Sequence, residues 1–305
     1  MNQQTAYKEV SHTNGSKSTV HHPRFVDIKI LMFHRVVTNE SLALKHPFCL
    51  HVSEFRRHIE WLDQHGFVPI TLEDYRLYYD GQLDLPRKPI ILTFDDGYLD
   101  TYEVAFPVLS EFGMKGVVFV LGDRSVKNNT WDWKYNGSPA PLMENHHLLE
   151  MSEAGIEIGA HSMTHAKLTM LDERTAWNEI SRSRILLEIV LNKPVLSFSY
   201  PYGFVNESVK RMVSDAGFTH ACSVWSGPLL FGKDNFELRR IPVLNSSTTI
   251  SLAVKLSAPF QYYSWLRSKF KNMIVTGSGS HSGTPLPKTL EPVAAANINN
   301  ISEAL

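Results

Sequence analysis

The sequence predicts an α/β fold of repeated βα units, either closed as a barrel or laid out as an open sheet. Three observations predict it. Short apolar runs such as Pro89–Phe94 and Gly116–Val120 alternate with longer amphipathic segments. Polar and charged residues gather just after those runs, at the strand ends where such folds carry their sites. The chain has 305 residues, 43% hydrophobic and 20% charged, enough for one domain with a large core.

The elements follow in order. Ile28–Phe33 reads as a strand. Ser53 is an N-cap residue type before a helix running to about Gln64, and Gly66 stops it. Phe67–Ile70 is short and extended, and Thr71 with Asp74 makes a capping box with Asp in place of Glu. Pro89–Phe94 is a buried parallel strand by its unbroken apolar run. A helix over Tyr102–Phe112 is kinked or interrupted near Pro107. Gly116–Val120 and Gly155–Gly159 are further strands. Asp172–Leu191 is helical, because Ala176, Ile180, Leu187 and Leu191 recur at helical spacing. Val195–Tyr200 is a strand, Glu207–Ala216 a helix closed by Gly217, and His220–Val224 and Leu238–Val243 are the last strands.

Two stretches carry the chemistry: Thr93-Phe94-Asp95-Asp96-Gly97 and His161-Ser162-Met163-Thr164-His165. Two carboxylates and two imidazoles suffice for one divalent metal plus one free base. Asp96, His161 and His165 form the expected metal set, which leaves coordination positions open. Asp95 is then the base for an attacking water, and such a site hydrolyses a polarised carbonyl or phosphoryl bond. On an extended backbone successive side chains point opposite ways, so one Asp can face a metal and its neighbour the reacting carbon. Gly97 then lets the chain turn beneath the site. His161 and His165 are four apart, so one helical turn would place both imidazoles on one side. An Asp-Asp-Gly run alone is most often a turn, and two nearby histidines are commonly a polar surface. The two motifs together, each after an apolar run, argue for a site.

Composition narrows the rest. A formal net charge of −1 gives no nucleic-acid signal. Cys49 and Cys222 form no CxxC motif and read as buried thiols. No run is long and apolar enough to span a bilayer. Met1–Val20 lacks the apolar core of a secretory signal, so the expected location is cytoplasmic, including a peripheral place at the inner membrane face. Residues 1–22 and the Gly/Ser/Pro-rich stretch 276–305 are expected to be disordered, leaving 23–275 as the folded unit. Leu252–Val275 lacks acids and carries Lys255, Arg267, Lys269 and Lys271. Leu252, Leu256, Phe260, Tyr263, Phe270 and Ile274 could line one apolar face, which suggests either an interfacial helix on anionic lipid or a helix packed on the domain.

Thr93–Gly97, His161–His165 and Phe198-Ser-Tyr-Pro-Tyr-Gly203, in that order, resemble the polysaccharide deacetylases with the NodB homology domain, carbohydrate esterase family 4. The likeness runs from about Ile30 to Val243. It implies a distorted (β/α) barrel of about seven strands and metal-dependent removal of N-acetyl groups from amino sugars. By this resemblance Asp95 is the base, Asp96, His161 and His165 hold the metal, and Ser162 shapes the histidine loop. The Tyr202 backbone N–H is the oxyanion donor. The metal is zinc foremost, with cobalt or nickel as alternatives that these ligands alone do not separate.

Two departures stand out. Many members carry an Arg after the Phe of the third motif, where this chain has Ser199. Arg240 is the expected substitute, ahead of Arg239. The Leu-x-x-x-His motif that supplies the general acid is missing, and His281 falls in the tail. Leu31-Met-Phe-His34-Arg35 resembles instead the first-strand motif of the biofilm poly-N-acetylglucosamine deacetylases, which makes His34 the acid. Trp131 and Trp133 are candidates for stacking on sugar. The implied partner is an N-acetylated glycan or a lipid-linked sugar. The rival readings are a hydrolase of another, cyclic amide and a carbohydrate-binding protein without catalysis.

Overall fold

The computed structural model of the chain describes residues 26–131 and 139–277. The expectations for residues 1–22, Trp133, His281 and the stretch beyond residue 277 lie outside the described residues. By compactness the chain divides after Trp265. The first unit holds the sheet and the candidate site, and the described part of the second is the end of a helix.

Ten short strands are described: β1 (Lys29–Phe33), β2 (Arg35–Val37), β3 (Cys49–His51), β4 (Val68–Ile70), β5 (Pro89–Phe94), β6 (Val117–Val120), β7 (Glu157–Ala160), β8 (Ser197–Ser199), β9 (His220–Cys222) and β10 (Ile241–Pro242). The main sheet is parallel and runs β10-β1-β5-β6-β7-β8-β9, seven strands, with β4 added beside β5. Its two edges meet through the segment leading into β10. Leu238 N–H donates to Ala221 O (2.8 Å), Ser223 N–H to Leu238 O (2.9 Å) and Arg240 N–H to Val224 O (3.1 Å). Val243 N–H then donates to Met32 O of β1 (2.9 Å). This is the distorted (β/α) barrel that the resemblance in all three motifs implies.

Strand alternation sorts the barrel into layers. Leu31, Phe33, Leu92, Phe94, Val118 and Val120 join the large cluster that the helices cover. Ile30, Ile91, Val117, Phe119, Cys222 and Leu238 pack with one another in a second cluster. Each such side chain, fully buried, contributes roughly 1.5–3 kcal/mol. Continuing two residues along β5 from Ile91 gives Thr93 and then Asp95, and two residues from Leu238 gives Arg240. The barrel interior is thus apolar below and polar at its C-terminal end.

Helices lie close to their predicted places, with physical reasons where they shift. The first long helix is Val52–Gln64, and its cap is His51 rather than Ser53. β3 pairs with β2 up to His51, so His51 is the last extended residue, and its Nδ1 accepts from the Ser53 N–H at 3.3 Å. Thr71 and Asp74 form the reciprocal capping box. The Tyr102–Phe112 segment is a π-helical turn, Thr101–Ala105, running into an α-helix, Phe106–Glu111. Pro107 stands in the first turn of the latter, where its missing N–H costs nothing. The helix Glu173–Leu191 is capped by Asp172 and buries Ala176, Ile180, Leu187 and Leu191 as expected.

Leu252–Val275 is not one helix with one apolar face. It is two, Thr249–Leu256 and Ala258–Gly277, parted at the extended Ser257. Pro259 can sit only in a first turn, so a second helix must begin there. Leu252 is wholly buried while Tyr263 is 60% exposed, so the two do not share a face.

Candidate active site

β5 delivers the acidic pair. Asp95 still follows the sheet, its N–H donating to Phe33 O at 3.0 Å. Asp96 does not. Its φ is 75°, and Gly97 follows at 76°. The two carboxylates diverge because the backbone steps into the left-handed region at Asp96, not because extended neighbours alternate. Asp is among the few non-glycine residues that tolerate this. Gly97 is needed twice over, since a Cβ there would also lie 2.9 Å from Val120 Cγ1.

The histidine segment after β7 is likewise no helical turn. Ser162 (φ 58°) and His165 (φ 64°) are both left-handed, which folds the loop back on itself. Ser162 Oγ accepts the His165 N–H at 3.1 Å. Glu179, on the helix Glu173–Leu191, clamps the loop from outside. Its carboxylate accepts the N–H groups of Met163 (3.0 Å) and Thr164 (2.9 Å) and the Thr164 hydroxyl (2.9 Å). Nothing in the sequence singled out Glu179. Its only signal was an acid at an i-to-i+14 offset from His165, a relation that exists only once helix and loop are packed.

The structure brings Asp96, His161 and His165 together, with one ligand atom from each within 4.8 Å of the others. Asp96 Oδ1 is 3.2 Å from Nε2 of both histidines, and all three residues are buried. His161 Nδ1 lies 2.7 Å from Ser199 O, and a carbonyl only accepts. Nδ1 therefore carries the hydrogen, and Nε2 is the atom turned on Asp96 Oδ1. That oxygen is buried and receives no hydrogen bond. One carboxylate oxygen and two imidazole nitrogens converging on one point are a donor set that fits a divalent cation. Burial opposes charge on Asp96, yet His165 and His161 hold its carboxyl well below the usual carboxylate range. Burial likewise pulls His161 down, and Asp96 and Asp95 more than offset it, leaving that imidazole raised.

Asp95 meets a different partner. Arg240 is 1% exposed and forks onto it, Nη1 to Oδ1 and Nη2 to Oδ2, both at 2.7 Å. The remaining guanidinium donors go to Thr93 Oγ1 (3.2 Å), Ser199 Oγ (3.0 Å) and Ser223 O (2.8 Å). All five donors are thus used. Ser199 Oγ in turn donates to Asp95 Oδ2 at 3.3 Å, and Thr93 Oγ1 to Leu31 O at 2.9 Å. The guanidinium comes from the barrel-closing segment and stands beside the small side chain at 199. Arg239, next in sequence, points elsewhere, to Ser264 Oγ at 3.0 Å. Burial works to raise the Asp95 carboxyl, but Arg240 outweighs it and the net shift is downward.

The other expected residues surround this centre. His34 follows β1 directly and is half-buried, its ring 4.5 Å from that of Phe48. Its Nδ1 is buried without a hydrogen-bond partner. Burial lowers its pKa and the charges of Asp96 and Asp95 raise it, for a net value below 6.5. A parallel pair, β2 with β3, was not expected from the sequence and anchors the chain just after His34. Tyr202 lies in a 3-10 turn at φ 60°, the residue 42% exposed and its ring set edge-on to His165 at 4.5 Å. Trp131 does not stand open toward a sugar on both faces. One face is stacked on His165, with centroids 4.4 Å apart and planes at 11°.

Comparisons with known proteins agree with this geometry. Residues 82–221 match the polysaccharide deacetylase family model. The Bacillus subtilis (strain 168) protein YxkH, whose name places it among polysaccharide deacetylases, is 27% identical over 216 residues, 71% of each chain. A poly-beta-1,6-N-acetyl-D-glucosamine N-deacetylase of Staphylococcus aureus (strain MRSA252) is 23% identical over 198 residues, 62% of this chain and 66% of that one. The chain therefore spans about two thirds of the length of these relatives. Among solved structures, the Streptococcus pyogenes deacetylase PplD in complex with acetate superposes with a TM-score of 0.65 at 22% identity, covering 76% of this chain and 99% of that one. IcaB from Ammonifex degensii gives 0.62 at 23%, covering 75% and 96%. At those identities the superpositions speak for the fold. A NodB-like barrel with the acidic and histidine motifs at its strand ends thus accompanies a polysaccharide deacetylase family match over residues 82–221 and likeness in sequence to these relatives.

Proposed function

We propose that this chain is a divalent-metal-dependent N-deacetylase that removes acetyl groups from amino sugars of a polysaccharide or its lipid-linked precursor. The observation that carries it is the convergence of Asp96, His161 and His165 beside the Asp95–Arg240 pair. The amino-sugar substrate is supported by the named activity of the staphylococcal relative. Bound at Asp96, His161 and His165, zinc, or cobalt or nickel in its place, supplies Lewis-acid polarisation of the acetyl carbonyl and a lowered water pKa. Asp95, kept ionised and oriented by Arg240, takes a proton from the attacking water. A C–O bond forms at the acetyl carbon, and the Tyr202 N–H donates to the oxygen that becomes negative. The C–N bond then breaks as His34 gives a proton to the amine, and acetate leaves. His34 has a lowered pKa, so its cationic form is a stronger acid than free imidazolium.

The test is acetate release from N-acetylglucosamine oligomers, sugar nucleotides and lipid-linked amino sugars, with zinc, cobalt or nickel supplied. Release from one class is expected. His161→Ala is expected to lose metal content by elemental analysis. No release from folded, metal-loaded protein would overturn the activity, and an unchanged metal content in the variant would overturn the ligand set.

We further propose that the C-terminal helices meet an anionic membrane surface. Between Thr249 and Gly277 there is no Asp or Glu, and Arg267, Lys269 and Lys271 give a positive charge. Ile250 (78%), Tyr262 (53%) and Tyr263 (60%) are exposed large side chains of the kind that enter headgroup regions. Co-sedimentation with phosphatidylglycerol vesicles is expected, and loss of most of it in Tyr262→Ser/Tyr263→Ser. Wild-type protein that stays in the supernatant sinks the idea.

A further inference from the structure

Trp131 touches two of the three residues of the candidate metal centre at once. Its Nε1–H points to Asp96 Oδ2 at 3.4 Å, and its face lies against the His165 ring at 4.4 Å. The two oxygens of Asp96 therefore face different things. Oδ1 faces the two Nε2 atoms at 3.2 Å, while Oδ2 faces an indole donor. A carboxylate left to itself can swing both oxygens toward a cation. One whose second oxygen is held by a donor offers the cation a single oxygen.

The three ligands are fixed by different means. His161 is set by its Nδ1–H bond to Ser199 O, 2.7 Å long. His165 has its backbone tied through Ser162 Oγ, and its ring lies between the face of Trp131 and the edge of Tyr202. Asp96 stands on a left-handed residue at the end of a strand, where its backbone does not set the rotation of the carboxylate plane. The indole N–H supplies that rotation.

We propose that Trp131 is a positioning residue of the metal centre: its N–H fixes the rotation of the Asp96 carboxylate and its ring fixes the plane of His165. The inference rests on Asp96, His161 and His165 being the metal site. Outer hydrogen bonds of this kind change metal affinity by about 10–100-fold when removed. Trp131→Phe keeps an aromatic face for His165 and deletes the N–H. Trp131→Ala deletes both.

The experiment is titration of the metal-free full chain with zinc by calorimetry, alongside thermal unfolding of the metal-free proteins. Trp131→Phe is expected to bind zinc about 10-fold more weakly, and Trp131→Ala up to about 100-fold more weakly. A second readout uses cobalt. When the Asp96 carboxylate is free to bring its second oxygen in, coordination number rises and the visible d–d absorption weakens. The phenylalanine variant is expected to show that weakening, which a role confined to loop packing would not produce. Zinc affinity within twofold of wild type together with an unchanged cobalt spectrum in Trp131→Phe would overturn the proposal. Should Trp131→Ala fail to fold, the phenylalanine variant decides alone. A wild-type chain that takes up no zinc would remove the metal site itself, a separate outcome from a wild type that binds and a variant that binds equally well.

Discussion

Asp95→Asn is expected to lower acetate release by about 10²–10⁴-fold, the usual contribution of a positioned general base, while metal uptake at Asp96, His161 and His165 persists. The substitution is nearly isosteric, but it is not silent structurally. Arg240 is 1% exposed and loses the charge that its fork grips at 2.7 Å. Leaving one half of a buried pair unmatched costs about 3–5 kcal/mol. The variant should therefore unfold at lower denaturant, and metal binding must be measured where it is still folded. Turnover near the wild-type rate would remove Asp95 as the base.

Arg240→Met is expected to cost a similar ~3–5 kcal/mol, because a buried carboxylate is left without its cation. Its effect on activity has a distinct signature. Arg240 is what pulls the Asp95 carboxyl down against burial. Without it, burial dominates and the pKa rises, so the acidic limb of the rate profile should move to higher pH. At low pH the variant is then more impaired than at high pH. An acidic limb that stays in place would mean that Arg240 does not set the charge state of Asp95. Combining Asp95→Asn with Arg240→Met removes both charges, and its destabilisation should fall well short of the sum of the two. Simple additivity would contradict the paired geometry.

Much of the framework was legible because it depends on local pattern. Apolar runs marked the sheet strands from β5 to β9, and the period in Ala176, Ile180, Leu187 and Leu191 marked the helix face that is buried. Arg240 was expected only through the resemblance, as the stand-in for the arginine missing at Ser199, and strand alternation agrees, since it shares the side on which Leu238 is buried. What failed to show was whatever tertiary contact imposes. The left-handed residues Asp96, Ser162 and His165 have no Gly to announce them. Glu179 and Trp131 reach the site from a helix and a loop whose positions no periodicity encodes. The small β2–β3 sheet is made of three-residue strands, too short for alternation to be read.

The source of Arg240 has a consequence for the order in which the protein can become active. Asp95 is made when the first third of the chain exists, but its cation arrives 145 residues later, on the segment that joins β9 to β1. Until that segment docks, the barrel has an open seam and a carboxylate at its mouth with no partner. Burial and charge neutralisation must then happen in one step, since either alone is unfavourable. A ribosome-bound chain that has emerged only through β9 carries the acidic and histidine motifs but not the guanidinium that orients Asp95. If Asp95 is the base, acetate release is expected only after the seam closes, and an assay on nascent chains would read out the completion of the barrel.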